Sequence, residues 1–131
     1  MKIMKDIQSR VPSSAPGDAF WSYSVDSALK ALKHLLRKQF GTEFDSLVVF
    51  GSAARGELSE ASDVDVLVVL NLPPQKVDWR LERDIRSLAF GVELEYNTVF
   101  DLHVKSAIEM RGPRSHTPFL EAVSSEGRVV A

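Results

Sequence analysis

The chain has 131 residues, enough for one domain with a real core but too few for a second substrate-binding domain of ordinary size. Sixteen basic residues against eighteen acidic ones give a formal charge of -2, which leaves no global electrostatic case for binding nucleic acid. Cysteine is absent, so disulfides and thiolate metal sites are excluded and any metal must be held by oxygen or histidine.

Met1 to Arg10 is polar and mixed in charge, without the apolar core of a signal peptide. No apolar run approaches the ~20 residues of a membrane span, so the expectation is a cytoplasmic protein. Residues 1–23, with Pro12, Ser13, Ser14, Pro16 and Gly17, read as an N-terminal arm leading into a single domain over 24–131. Phe20, Trp21 and Tyr23 interrupt the arm's polarity, either as a cap on the core or as a contact surface through which a homo-oligomer could form.

From Ser24 to Phe40, Val25, Ala28, Leu29, Leu32, Leu35, Leu36 and Phe40 recur at the three-and-four spacing of an amphipathic helix, which Gly41 is placed to end. Lys30, Lys33, His34, Arg37 and Lys38 occupy its other faces and read as solvated. Two apolar runs follow, Ser46 to Phe50 and Val64 to Leu70, and both read as strands. Alternation in the second puts Asp63, Asp65, Leu67 and Val69 on one face and Val64, Val66, Val68 and Leu70 on the other, the pattern of a central strand covered on both sides.

Asn71-Leu72-Pro73-Pro74 stops extended structure. Val77, Leu81, Ile85, Leu88 and Ala89 then mark a second helix, ending at Gly91, and Val92 to Phe100 reads as another strand. Strand, helix, strand predicts a crossover that makes the two strands parallel, with their starts on one edge. Thr117-Pro118 predicts an N-cap opening a short helix through Glu126, stopped by Gly127, and Arg128 to Val130 predicts a last small strand.

The chemistry concentrates at Gly51-Ser52, ten residues, then Asp63-Val64-Asp65. Residues i and i+2 of a strand lie about 6.5 to 7 Å apart on one side, so the two carboxylates can converge on one cation. Ionised carboxylates at the start of a covered strand need such a partner, and oxygen ligands together with phosphate oxygens suit Mg2+. Gly51 permits close approach of a phosphate, Ser52 adds backbone and hydroxyl donors, and Arg55 is a further contact for a triphosphate. The reaction expected of such a site is in-line attack on the alpha-phosphorus of a nucleoside triphosphate, with pyrophosphate leaving. If the strands start in register, a third acid, Glu93 or Glu95, stands at the mouth of the sheet, and Glu93 is preferred. His34, His103 and His116 show no metal-ligand spacing and read as surface or capping residues.

Phe50-Gly51-Ser52-Ala53-Ala54-Arg55-Gly56 followed by Ser62-Asp63-Val64-Asp65-Val66-Leu67-Val68 resembles the signature of the minimal nucleotidyltransferases of the DNA polymerase beta-like superfamily. The resemblance is close over residues 47–70 and loose elsewhere. It implies an α/β (α+β) fold, a mixed β-sheet flanked by helices, with Asp63, Asp65 and a third carboxylate, Glu93 or Glu95, as catalytic metal ligands. By the same resemblance, Gly51 and Ser52 bind the triphosphate of ATP. Many minimal members resemble antitoxins that transfer AMP to a tyrosine of a small all-helical HEPN toxin, so a partner of that kind is the implied acceptor. The alternative is a catalytically inactive module of the same fold that binds and neutralises or regulates a partner protein. Transfer to an antibiotic or an RNA end would need an added domain or a basic surface that the sequence does not show.

Overall fold

The structure is a computed structural model that describes residues 23–56, 63–111 and 117–131. The aromatic segment Phe20 to Ser22, most of the loop before Asp63, and His116 lie outside the described residues.

Helix α1 spans Tyr23–Phe40 and packs Val25, Ala28, Leu29, Leu32 and Leu36 into the core. Gly41, at φ +57, ends it. Lys33 does not stay on a solvated face as the charge pattern predicts, because its Nζ donates to the Val130 carbonyl at 2.9 Å. Strand β1, Phe44–Phe50, leads into the single helical turn α2, Gly51–Ala54, and β2, Val64–Leu70, returns antiparallel to β1. Helix α3, Trp79–Tyr96, then crosses to β3, Phe100–Ser106, which pairs parallel with β2. A short helix α4, Ala107–Arg111, the Thr117-capped α5, Pro118–Glu126, and β4, Arg128–Val129, complete the described residues. The strand order is β3-β2-β1-β4.

This is the expected mixed sheet flanked by helices. Period-two alternation divides it into two cores. On one face Leu47, Val49, Val66, Val68 and Leu70 meet α1 and, from α3, Ile85, Ala89 and Val92. On the other, Val48, Phe50, Leu67 and Val69 meet Ala107, Val123 and Phe119. The second core is the face that carries Asp65.

One element departs from expectation. Val92 to Tyr96 is not a strand: α3 continues five residues past Gly91 and ends only where Asn97 takes a left-handed conformation, φ 50. Val92-Glu93-Leu94-Glu95-Tyr96 fits both periods, but Ile85, Ala89, Val92 and Tyr96 also continue the three-and-four spacing onto the buried side of the helix. Gly91 breaks nothing because it is exposed, with nothing within 4 Å of where a side chain would start. Its intrinsic penalty of about 1 kcal/mol is small against the apolar burial on either side of it.

Glu93 is therefore a helical residue, and its carboxylate is engaged locally: Oε2 accepts from the backbone N–H of Phe100 at 2.8 Å, tying the end of α3 to the start of β3. Glu95 lies on the same helix and is exposed. Glu93→Ala is expected to destabilise the fold by about 1–3 kcal/mol, the range for a hydrogen bond to a charged group. Glu93→Gln, which keeps an acceptor oxygen, should cost less, and urea midpoints compare the two.

Candidate active site

Strand register builds the site. Phe50 on β1 pairs with Asp65 on β2, and Asp65 pairs with Asp101 on β3, so one row across the sheet runs Phe50, Asp65, Asp101. The parallel pair is in register from its first residues, Val64 opposite Phe100, and the Val64 N–H donates to the Val99 carbonyl at 2.8 Å. The strands start in register as expected, but the acid at the start of β3 is Asp101, not Glu93 or Glu95, because β3 begins after the longer helix.

Side chains in register on neighbouring parallel strands project to the same face, which brings Asp65 and Asp101 together. With His103, two residues further along β3, they form a group whose potential ligand atoms all lie within 4.8 Å of one another. His103 Nε2 stands 3.6 Å from Asp101 Oδ2. Its ring lies 5.4 Å from that of Phe50 and 5.0 Å from that of Phe119, while Phe50 and Phe119 meet edge-on at 5.4 Å. These three rings form one cluster, which His103 joins to the carboxylate pair. His103, which the sequence reading placed among surface or capping residues, thus lies with the two acids, and what marks it is its even spacing from Asp101 along the strand. Asp63 precedes β2, is exposed, and is not in this close group, although its charge is felt by Asp65.

Burial holds the Asp65 carboxyl above the ordinary aspartate range. A hydrogen bond and like charge from Asp101 raise it further, His103 opposes the rise, and Asp63 adds to it. Like charges this close disfavour the ionised form of Asp65, and a bound cation would relieve that cost.

Gly51 closes the site from β1. Its φ of +69 is left-handed, and a Cβ there would run into the carboxylate of Asp65. The backbone conformation disfavours a side chain, and a Cβ would in addition force the Asp65 carboxylate to move. Ser52 follows it in α2, half-buried, next to buried Ala53 and Ala54. Arg55 is engaged with α5: its Nη1 lies 2.9 Å from Glu126 Oε2 in a half-exposed ion pair. The structure thus brings Gly51, Asp65, Asp101 and His103 together, sets Asp63 at their margin, ties Arg55 to Glu126, and gives Glu93 a structural task.

Comparison with known proteins identifies the family. Residues 29–125 match the family described as "Nucleotidyltransferase domain". The chain is 30% identical over 105 residues to "Putative protein adenylyltransferase MJ0604" of Methanocaldococcus jannaschii, a match covering 80% of this chain and 96% of the relative. It is 36% identical over 85 residues to "Protein adenylyltransferase MntA" of Thermococcus cleftensis, covering 64% and 81% respectively. A 51-residue stretch is 45% identical to "Putative protein adenylyltransferase MJ1305" of Methanocaldococcus jannaschii, covering 37% of this chain and 35% of that relative. Since the family match runs from α1 through Gly51, Asp65 and Asp101 into α5, the chain belongs to the minimal nucleotidyltransferases of the nucleotidyltransferase domain family.

Proposed function

We propose that this nucleotidyltransferase moves AMP from ATP to a hydroxyl group of a protein acceptor, with Asp63, Asp65 and Asp101 holding Mg2+. Asp101 takes the place that the sequence reading assigned to Glu93. The observation that carries the proposal is the contact of two strand-borne carboxylates, with Asp65 held above its ordinary range, directly against the glycine turn. The donor set fits: carboxylate oxygens suit a hard divalent ion, and the ion's charge would offset both the desolvation and the mutual repulsion of the pair. When bound, Mg2+ supplies neutralisation of the charge that builds on the phosphate oxygens.

The chain's own residues do the rest. Gly51 leaves the space beside Asp65 open to a phosphate, and Ser52 offers its N–H and hydroxyl there. Arg55 reaches the triphosphate by exchanging Glu126 for it, an inexpensive exchange because a half-exposed ion pair is worth little. The acceptor oxygen bonds to the alpha-phosphorus as the bond to the pyrophosphate oxygen breaks, and its proton passes to a carboxylate. Asp101, whose side chain is 54% exposed, is the member of the pair open to that hydroxyl. The names of the relatives support a protein acceptor, and the resemblance to antitoxins favours a HEPN-type toxin, modified on a tyrosine in the cytoplasm.

The direct test incubates the protein with Mg2+, alpha-labelled ATP and a HEPN-type partner. Asp65→Asn and Asp101→Asn are each expected to lower labelling by about 100-fold or more, beyond the ~10–100-fold typical of losing an outer-shell partner. Glu93→Gln should label nearly as well as the native protein. Labelling that survives Asp65→Asn, or that fails in Glu93→Gln and not in Asp101→Asn, would overturn the site. Gly51→Ala should reduce labelling comparably through its collision with Asp65.

Stability offers a second check without any acceptor. The folded-state pKa of Asp65 is raised, so its contribution to stability is fully present below the ordinary aspartate value of ~3.9 and is lost as pH rises through the raised value. In EDTA at neutral pH, Asp65→Asn should therefore melt above the native protein, and the gap should close as pH falls through that window. Mg2+ should raise the Tm of the native protein and leave Asp65→Asn nearly unmoved, as differential scanning fluorimetry would record.

A further inference from the structure

His103 is the member of the close group that nucleotide transfer, as described above, leaves without a task. Alternation along β3 turns Asp101, His103 and Lys105 to one face of the sheet. Lys105 is paired with Glu109 at 3.8 Å and lies 5.9 Å from the centroid of the Phe119 ring, whereas His103 is turned toward the acids. Opposite His103 on β2 is Leu67, fully buried in the second core, and the imidazole packs against the rings of Phe50 and Phe119. The ring is thus anchored in that core while 36% of the side chain stays exposed, which leaves it accessible to a small ion.

We propose that His103 is a ligand of the cation held by Asp65 and Asp101, and that its imidazole makes this site prefer a first-row transition ion, Mn2+ or Co2+, over Mg2+. The inference rests on the proposed reading of the two acids as cation ligands and deepens it by naming the class of ion. Distance carries it. His103 Nε2 stands 3.6 Å from Asp101 Oδ2, too far for a hydrogen bond, whereas a simple charge-assisted pair would close to about 2.7–2.9 Å. Ligand atoms about 2.1 Å from one octahedral ion lie roughly 3.0 Å apart when adjacent and roughly 4.2 Å apart when opposite. The observed gap falls between these values. The potential ligand atoms of all three residues lie within 4.8 Å of one another, so small side-chain rotations bring them onto one ion.

Donor chemistry sets the preference. Mg2+ favours oxygen ligands in near-ideal octahedral geometry, whereas affinity for sites that contain nitrogen rises along the first row from Mn2+ to Co2+. Cysteine is absent from the chain, so imidazole is its strongest donor for such ions. Asp63 stands outside the close group, and among the described residues the third donor within reach of both acids is His103. Two carboxylates still admit Mg2+; what His103 changes is which ion occupies the site when both are present.

The test loads the full chain with Mn2+ and reads the ion by pulsed EPR, without nucleotide or acceptor. Native protein is expected to show nitrogen coupling to the bound ion, altered when its histidines are labelled with 15N. The chain has three histidines, and the coupling should persist in His34→Gln combined with His116→Gln. It should vanish in His103→Phe, which keeps a ring against Phe50 and Phe119 but removes the nitrogen. Competition titrations should show the preference for Mn2+ over Mg2+ falling about tenfold or more in His103→Phe, at least the effect of losing an outer-shell partner. Bound Mn2+ that shows no nitrogen coupling, yet is lost in Asp65→Asn combined with Asp101→Asn, would overturn the role of His103 and leave the two acids as the cation site. Coupling that disappears with His34 and His116, or an unchanged ion preference in His103→Phe, would overturn it too. Mn2+ binding that survives the double asparagine variant would instead remove the cation reading on which the proposal rests.

Discussion

The parallel register of β2 and β3 is the constraint on which the rest of the molecule depends. It places Asp65 opposite Asp101 and brings two like charges together at the edge of a desolvated sheet. Such an arrangement persists only if the strands cannot slide, since a slip of one residue would turn every side chain of β2 to the wrong face. Both faces of β2 are filled, with Val66, Val68 and Leu70 against α1 and α3 and Leu67 and Val69 against the later helices. The packing therefore fixes the separation of the two backbones, and the repulsion is relieved by a raised Asp65 pKa or by a bound cation.

Around that pair each neighbouring element has a definable task. The end of β1 turns at Gly51, where only a residue without a side chain clears Asp65. Helix α3 sets where β3 begins, and Glu93 secures that junction through the Phe100 N–H. Helix α5 brings Phe119 to the ring cluster with Phe50 and His103, and Glu126 to Arg55. The conflict between stability and function is local: the site is least comfortable where its charges are closest, and a bound cation with a polyphosphate would relieve it.

Much of this was legible in the residues themselves. The alternation in Val64 to Leu70, the helical spacing from Val25 to Phe40 and the cap at Thr117-Pro118 each carry a strong local signal, and each formed as read. Gly51-Ser52 and Asp63-x-Asp65 drew attention because a tight turn and closely spaced acids call for those residue types, and the structure sets Gly51 against Asp65 while leaving Asp63 exposed. Glu93 misled because five residues alternating apolar and acidic satisfy a strand and a helix alike. The choice is made by which side chains find a core, and Val92 finds it beside Ile85 and Ala89. Asp101 went unnoticed, and His103 was read as a surface or capping residue, for the same reason: with the strand placed too early, both fell beyond its expected end.

By itself the sequence determined the first helix, the central strand and its parallel crossover, because these follow from periodicity and from residue chemistry over short spans. Only the tertiary structure decided that Asp101 stands beside Asp65, that Glu93 accepts from the Phe100 N–H, and that α3 leaves Trp79, Phe90 and Leu94 exposed. Those facts depend on where a helix stops and on which of its sides meets the sheet. Both are settled by packing between segments distant in the chain, which no local pattern contains.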